Sequence, residues 1–159
     1  MSIFIIRGPE AAGQLIRTAQ PLPAPVLKAL VHRAIDAGTT VAIRACGSEQ
    51  ELLDALRVAD HSRGEVTLLD PGACVGSARL QRLLPHLHNA YVEVHDDDAG
   101  APEACLPEHV GQRIGVAHGY CAQSYMHALE IALDHLGCSE VGCRLDHLGC
   151  SEVGCRVGT

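Results

Sequence analysis

The sequence predicts an α/β fold in which a parallel sheet of five strands lies between two layers of helices. Short apolar runs alternate along the chain with segments whose apolar residues recur at helical spacing, a pattern typical of β-α-β units. The apolar residues make up 47% of the chain and are mostly aliphatic, because there are only three Tyr, one Phe and no Trp. A length of 159 residues corresponds to one ordinary domain.

The first half of the chain is predicted to contain three strands and two helices. In order, these are the strand Ser2–Ile6, the helix Val26–Ala37, the strand Thr40–Arg44, a helix opened by Ser48, and the strand Glu65–Leu69. The first strand is a continuous apolar run, as expected of a strand covered on both faces. The second helix begins with a capping box formed by Ser48 and Glu51. Glu10–Pro25 is rich in Ala, Gln and Pro and is predicted to be a loop.

The second half continues the alternation. Its predicted elements are the helix Ser77–Leu84, the strand Tyr91–His95, the strand Arg113–Val116 and the helix Gln123–Leu136. Because crossovers between parallel strands are right-handed, this arrangement favours a flavodoxin-like three-layer fold with the strand order 2-1-3-4-5. Such folds bind ligands at the carboxyl ends of the strands, near the point between strands 1 and 3 where the order reverses.

Composition restricts the classes of partner. The formal net charge of −7 disfavours broad electrostatic binding to nucleic acid or to an anionic membrane. No apolar run approaches the roughly 20 residues that a membrane span needs, and Met1–Ile6 is too short for the apolar region of a signal peptide. We therefore expect a cytoplasmic protein with no nucleic-acid partner, no membrane contact and no cofactor.

The eight cysteines fall into two groups. Cys46, Cys74, Cys105 and Cys121 are scattered through the body of the chain, where we expect them to be reduced and mostly buried. Cys138, Cys143, Cys150 and Cys155 lie close together near the end of the sequence. Residues 133–144 read LDHLGCSEVGCR, and residues 145–156 repeat the same twelve letters. The sequence therefore predicts a domain over residues 1–136 and a Cys-rich tail over residues 137–159.

The function of the tail stays open between three interpretations. Each copy of the repeat contains His-x-x-Cys-x-x-x-x-Cys, so four thiolates and two imidazoles are available for a tetrahedral zinc site. Alternatively, the tail presents free thiols on the surface, or its cysteines form disulfides.

Five motifs occur in one order along the chain and together resemble the type II 3-dehydroquinate dehydratases. They are Gly8-Pro9, Ser48–Ala59, Asp70-Pro71-Gly72-Ala73, Glu93-Val94-His95 and Ala122-Gln123-Ser124-Tyr125. The resemblance covers about residues 2–136. It implies a flavodoxin-like subunit that assembles into trimers and then a dodecamer, and an activity that removes water from 3-dehydroquinate through an enolate. It also implies a tyrosine base beside an arginine on a loop after the first strand.

Several positions depart from the pattern of this family. Glu93 and His95 match the Glu-x-His motif, whose histidine protonates the leaving hydroxyl. Arg17 stands where the activating arginine is expected, but the loop Glu10–Pro25 contains no tyrosine. Asp70 replaces an asparagine that orders a water against the enolate, and Gly76 replaces a substrate-binding histidine.

The candidate residues follow from this comparison. The candidate catalytic residues are His95, Glu93 and Arg17. The candidate ligand-binding residues are Asp70, Gly72, Ala73, Asp96 and Asp97. The candidate metal ligands are the four tail cysteines.

Each of these sites also has a purely structural interpretation. His95 is either a partly buried histidine satisfied by its neighbours or a ligand-binding or proton-transferring group. Asp70 has a turn-forming role available in the sequence Asp-Pro-Gly. Asp96–Asp98 is either a solvated acidic loop or, together with Asp70, a set of oxygen ligands for a divalent cation.

The departures predict a catalytically degenerate dehydroquinase-like protein. In that case the fold and the oligomer serve small-molecule binding, scaffolding or regulation. The alternatives are an active dehydratase with a rearranged loop, and a carrier or metal-binding protein that acts through its tail.

Overall fold

A computed structural model describes residues 2–61 and 66–148 of the protein, with the backbone alone over residues 138–148. Its centre is a parallel sheet of five strands. These strands are β1 (Ser2–Arg7), β4 (Thr40–Ala45), β5 (Val66–Asp70), β6 (Ala90–Val94) and β7 (Arg113–Ala117), and they lie in the order β4-β1-β5-β6-β7. Counted along the chain, this is the predicted order 2-1-3-4-5. The prediction of the fold is confirmed.

Helices cover both faces of the sheet. They are α1 (Ala24–Asp36), α2 (Glu49–His61), α3 (Ala78–Leu83) and α4 (Ser124–Leu148). One apolar cluster joins the α1 residue Leu30 and the α4 residue Leu129 to Ile5 and Leu68 of the sheet. A second cluster joins the helices α2 and α3 to the opposite face, where the neighbouring side chains Ile6 and Leu69 point. Because successive residues of a strand point to opposite faces, covering both faces requires the uninterrupted apolar runs seen in the sequence.

The segment predicted as a loop contains a small hairpin. The strands β2 (Glu10–Ala12) and β3 (Leu15–Arg17) pair antiparallel with each other and with no other strand that the structure describes. Gly13 in the turn has a φ of 65°, which favours glycine. Leu15 and Ile16 are largely exposed. Strands of three residues without a buried face carry no period-2 signal, which is why the sequence does not predict them.

Two helix boundaries also differ from the prediction. The helix α1 begins at Ala24, because Pro25 occupies its first turn, where a missing N–H costs no hydrogen bond. The helix α4 continues to Leu148 instead of ending at Leu136. The proposed tail therefore begins within a helix, whereas most of the second repeat copy lies outside the described residues.

The four body cysteines are free. Cys46 and Cys74 are buried as predicted, but Cys105 and Cys121 are exposed because they lie in connections outside the core. Among the tail cysteines, Cys150 and Cys155 lie outside the described residues, as do the side chains of Cys138 and Cys143. No helix within residues 2–61 and 66–148 is both long and apolar enough to cross a bilayer.

Candidate functional site

The carboxyl ends of β1 and β5 are joined by two interlocking turns. The amide of Gly8 donates to the carbonyl of Asp70 at 2.7 Å, and the amide of Ala73 donates to the carbonyl of Pro9 at 2.8 Å. A cavity of about 300 Å³ opens beside these turns, at the position where the order of the sheet predicts a ligand. Its walls also include Glu10 and Ala11 of the hairpin, Ala19, Asp96 and Glu103.

A glycine is required where the two turns meet. Gly72 has a φ of 56°, and a Cβ added there would lie 2.4 Å from the carbonyl oxygen of Pro9. We expect Gly72→Ala to lower the free energy of unfolding by at least about 1–3 kcal/mol, the usual cost of a strained backbone. Gly76→Ala is the matched control, because a Cβ at Gly76 meets open space. Urea unfolding followed by circular dichroism measures both, and equal losses would contradict the contact.

The guanidinium of Arg7, at the end of β1, lies in the wall of the cavity. Its Nε donates to the Tyr125 hydroxyl at 3.0 Å, Nη1 donates to the carbonyl of Gln20 at 2.6 Å, and Nη2 donates to Asp96 at 3.4 Å. Arg7 is only 4% exposed. Burial alone would lower the pKa of Arg7, but Tyr125, Asp70 and Asp96 raise it above its usual value. Arg7 is the one cationic side chain among the described residues that line the cavity, and it is already paired within the protein.

Asp70 and Tyr125 form a buried hydrogen bond under the cavity. The Tyr125 hydroxyl donates to Oδ2 of Asp70 at 2.6 Å, and the amide of Gly72 donates to Oδ1 at 3.0 Å. Burial raises the pKa of Asp70 to about 6, although the hydrogen bond from Tyr125 opposes this shift. Burial and the neighbouring Asp70 also raise the pKa of Tyr125 well above its usual value. Tyr125 is therefore a hydrogen-bond donor and remains protonated.

Glu93 and His95 form a second buried group next to the cavity. His95 Nε2 lies 2.5 Å from Glu93 Oε2, which also accepts from the amide of Leu106 at 2.8 Å. Arg113 Nη1 donates to Glu93 Oε1 at 2.7 Å, and His95 Nδ1 lies 3.1 Å from Glu103. Burial alone would lower the pKa of His95, but its hydrogen bonds to Glu93 and Glu103 raise it to about 9. At neutral pH the ring is an imidazolium held between two carboxylates.

The remaining predicted residues occupy different places. Asp70, Gly72, Ala73 and Asp96 line the cavity. Asp97 is buried and accepts from the amides of Glu103 and Gly119, contacts that hold its own loop and lower its pKa against the effect of burial. Arg17 lies on the outer strand of the hairpin, where its exposed side chain pairs with Glu10 at 2.9 Å. Its position gives no support to a catalytic role.

Among the described residues, the carboxylates of the acidic loop do not converge as a group of cation ligands. Asp96 pairs with Arg7, Asp97 holds two loop amides, and Asp98 accepts from the amide of Gly100. These three carboxylates therefore have separate partners.

Three residues of the candidate site were not among the candidates predicted from the sequence. Arg7 carries a signal, because a charged residue ends an otherwise apolar strand, but the signal does not identify its partners. Tyr125 fits the apolar face of an amphipathic helix, and Glu103 lies in a loop without periodicity. Only the folded chain brings Arg7 and Glu103 to the cavity wall and Tyr125 beneath it.

Comparison with known proteins gives a consistent result for the fold. No sequence-family model and no curated protein matches the chain. Among solved structures, the type II dehydroquinase of Propionibacterium acnes matches with a TM-score of 0.64 at 20% identity, covering 83% of this chain and 97% of that one. That of Butyrivibrio crossotus DSM 2876 matches with a TM-score of 0.65 at 17% identity, covering 82% and 96%.

A third solved structure is that of a dehydratase-like protein. The 3-dehydroquinate dehydratase-like protein from Bifidobacterium longum matches with a TM-score of 0.57 at 18% identity, covering 86% of this chain and 98% of that one. At these identities the similarity establishes architecture. The chain therefore has the fold of the type II dehydroquinases.

Proposed function

We propose that this chain is a dehydroquinase-like protein that binds a small polar molecule at the carboxyl ends of β1 and β5 and lacks efficient dehydratase activity. The observation that carries the proposal is the charge of the cavity wall. Four carboxylates line it, those of Glu10, Asp70, Asp96 and Glu103, against the single guanidinium of Arg7. A substrate that is itself a carboxylate needs donors and positive charge around it.

Among the described residues, no tyrosine that could act as the base lines the cavity. A tyrosine that acts as a base needs a cation to lower its pKa, and Tyr125 does receive a hydrogen bond from Arg7. Its own proton, however, is donated to Asp70, and its pKa is raised. Tyr125 is also fully buried and is not part of the cavity wall. Tyr125 is therefore not placed to act as the tyrosine base of a type II dehydroquinase.

Asp70 further disfavours the enolate that dehydration would form. With a pKa of about 6, the Asp70 carboxyl is mostly ionised at neutral pH. A negative charge next to a developing enolate raises the energy of the transition state. His95 still carries a proton, but both of its ring nitrogens are held by Glu93 and Glu103 and the residue is 1% exposed.

The ligand that fits this cavity presents hydroxyl or ammonium donors, because the wall offers mainly carboxylate acceptors. Such binding is compatible with a scaffolding or regulatory role. Assembly into a trimer or dodecamer and residence in the cytoplasm belong to the same proposal.

An active dehydratase is the second candidate. Two observations favour it: the hairpin β2–β3 pairs only with itself among the described strands, and the Glu93–His95 pair is intact. In this alternative the hairpin rearranges on binding and brings Arg17 into the cavity.

A steady-state assay separates these two candidates. Purified protein incubated with 3-dehydroquinate is followed by the ultraviolet absorbance of the conjugated product. We expect turnover at least about a thousandfold below that of an active type II dehydroquinase measured in parallel, because general base catalysis and enolate stabilisation are each worth about 10²-fold or more. Turnover comparable with that of the reference enzyme would overturn the proposal.

A further inference from the structure

We propose that Glu93, His95 and Cys105 form a binding site for a zinc ion, adjacent to the cavity and separate from the cysteines of the tail. One carboxylate oxygen, one imidazole nitrogen and the Sγ of Cys105 all lie within 4.8 Å of one another. Glu93 is the buried penultimate residue of β6, His95 directly follows that strand, and Cys105 comes from the loop between β6 and β7. This set of oxygen, nitrogen and sulfur ligands is one that zinc accepts.

A tetrahedral site requires a small adjustment of the three atoms, because all of them lie within 4.8 Å of one another but His95 Nε2 and Glu93 Oε2 are too close together. Zinc lies about 2.0–2.3 Å from such ligands, so two ligand atoms of one site are about 3.3–3.6 Å apart. In the metal-free arrangement His95 Nε2 and Glu93 Oε2 are 2.5 Å apart, joined by a proton. Zinc would replace that proton and separate the two atoms by about 1 Å. Three protein ligands leave a fourth position for water.

The surrounding residues already hold the ligands in orientation. Glu103 lies 3.1 Å from His95 Nδ1, which is the carboxylate partner that a zinc-bound histidine usually has on its second nitrogen. Arg113 holds the other oxygen of Glu93 at 2.7 Å and leaves Oε2 for the ion. The amide of Leu106 also fixes Oε2 at 2.8 Å.

The charges of the site balance a divalent cation. With zinc bound, Glu93, Glu103 and the Cys105 thiolate each carry one negative charge, Arg113 carries one positive charge and His95 is neutral. Their sum is −2. Binding releases one proton from His95 Nε2 and one from Cys105 Sγ to the solvent, while the proton on Nδ1 stays with Glu103. Because Cys105 is exposed, the ion has a route from solvent to two otherwise buried ligands.

The same geometry argues against a nucleophilic cysteine. A histidine that activates a thiol directs one ring nitrogen to the sulfur, but both nitrogens of His95 are bound to carboxylates. Burial and the charge of Glu93 raise the pKa of the Cys105 thiol, which disfavours the free thiolate. A bound metal ion compensates for that shift, since a coordinating thiol is deprotonated.

Cobalt(II) spectroscopy on the full-length, reduced protein tests the proposal. To remove competing thiols, the test uses a variant in which Cys138, Cys143, Cys150 and Cys155 are all replaced by serine. In this background Co²⁺ should give a near-ultraviolet thiolate-to-cobalt absorption band with one ion per chain, and added Zn²⁺ should abolish the band. Adding Cys105→Ser should remove the band, whereas Cys121→Ser, at the other exposed body cysteine, should leave it unchanged.

A second variant tests the contact between Glu103 and the Nδ1 atom of His95. Glu103→Gln should weaken zinc binding, measured by competition with a chromogenic chelator, by about 10–100-fold, the usual effect of removing such a partner. Far-ultraviolet circular dichroism checks that each variant is folded. The proposal is wrong if the cobalt band persists in Cys105→Ser, or if metal binds only to chains that keep the tail cysteines. Neither result depends on dehydratase activity, so the proposed function is tested separately.

Discussion

Replacing Glu93 with glutamine should lower the free energy of unfolding by about 3–5 kcal/mol, the cost of removing one partner from a buried ion pair. Glu93 is fully buried and accepts from His95, Arg113 and the amide of Leu106. Glutamine has one acceptor oxygen, so its NH₂ group must face a donor. It also leaves the imidazolium and the guanidinium without their shared anion. Urea unfolding at pH 7, followed by far-ultraviolet circular dichroism, measures the loss.

Glu103→Gln is the matched control for this prediction. Glu103 contacts the same imidazole at 3.1 Å, but its side chain is 47% exposed. Ion pairs with an exposed partner contribute about 0–1 kcal/mol because solvent screens them. A loss at Glu93 no larger than that at Glu103 would show that Glu93 does not anchor the two cations.

In protein kept free of metal ions by a chelator, the stability should fall on the alkaline side of neutrality as His95 loses its proton. The pKa of His95 is raised from 6.5 to about 9 in the folded chain. A raised pKa means that the stabilisation is fully present below pH 6.5 and is lost as the pH rises through about 9. The difference corresponds to about 3 kcal/mol, at about 1.4 kcal/mol for each pH unit.

His95→Gln separates this effect from the titration of other groups. Wild type and variant share the cysteines, so the difference between their free energies of unfolding isolates the imidazole. We expect the variant's deficit to shrink by about 3 kcal/mol between pH 6.5 and about pH 10. Unfolding in urea across this range provides the measurement. A deficit that is constant with pH would mean that His95 has an ordinary pKa.

The sheet was predictable because strands that are buried on both faces appear in the sequence as short runs of mostly apolar residues. Ser2–Ile6 and Glu65–Leu69 were predicted as strands because most of their side chains are apolar. The right-handed crossover rule then supplied the order. The hairpin at Glu10–Arg17 was missed because its strands are three residues long and mostly exposed. The end of α4 was misplaced because residues 137–148 include glycines, which weaken a helix prediction.

The location of the candidate site was also predictable, but its internal contacts were not. Asp70 and His95 follow neighbouring strands, and the carboxyl ends of parallel strands meet at one edge of the sheet. The contacts between Arg7, Tyr125 and Asp70 join residues more than fifty positions apart along the chain. Neither spacing nor composition records such contacts, since each residue also has an ordinary place in a strand, a helix or a turn.

Because the turns at Gly8 and Gly72 interlock, one part of the cavity wall is more rigid than the rest. A Cβ at Gly8 would lie 2.3 Å from the carbonyl oxygen of Pro71, so the turns after β1 and β5 cannot change independently. This part of the wall is already ordered before a ligand binds, so binding costs little conformational entropy there. Another part of the wall is the hairpin, whose strands pair only with each other in the described chain. Ligand preference can therefore diversify, or be engineered, by exchanging residues 10–17 while the sheet and the rigid wall stay unchanged.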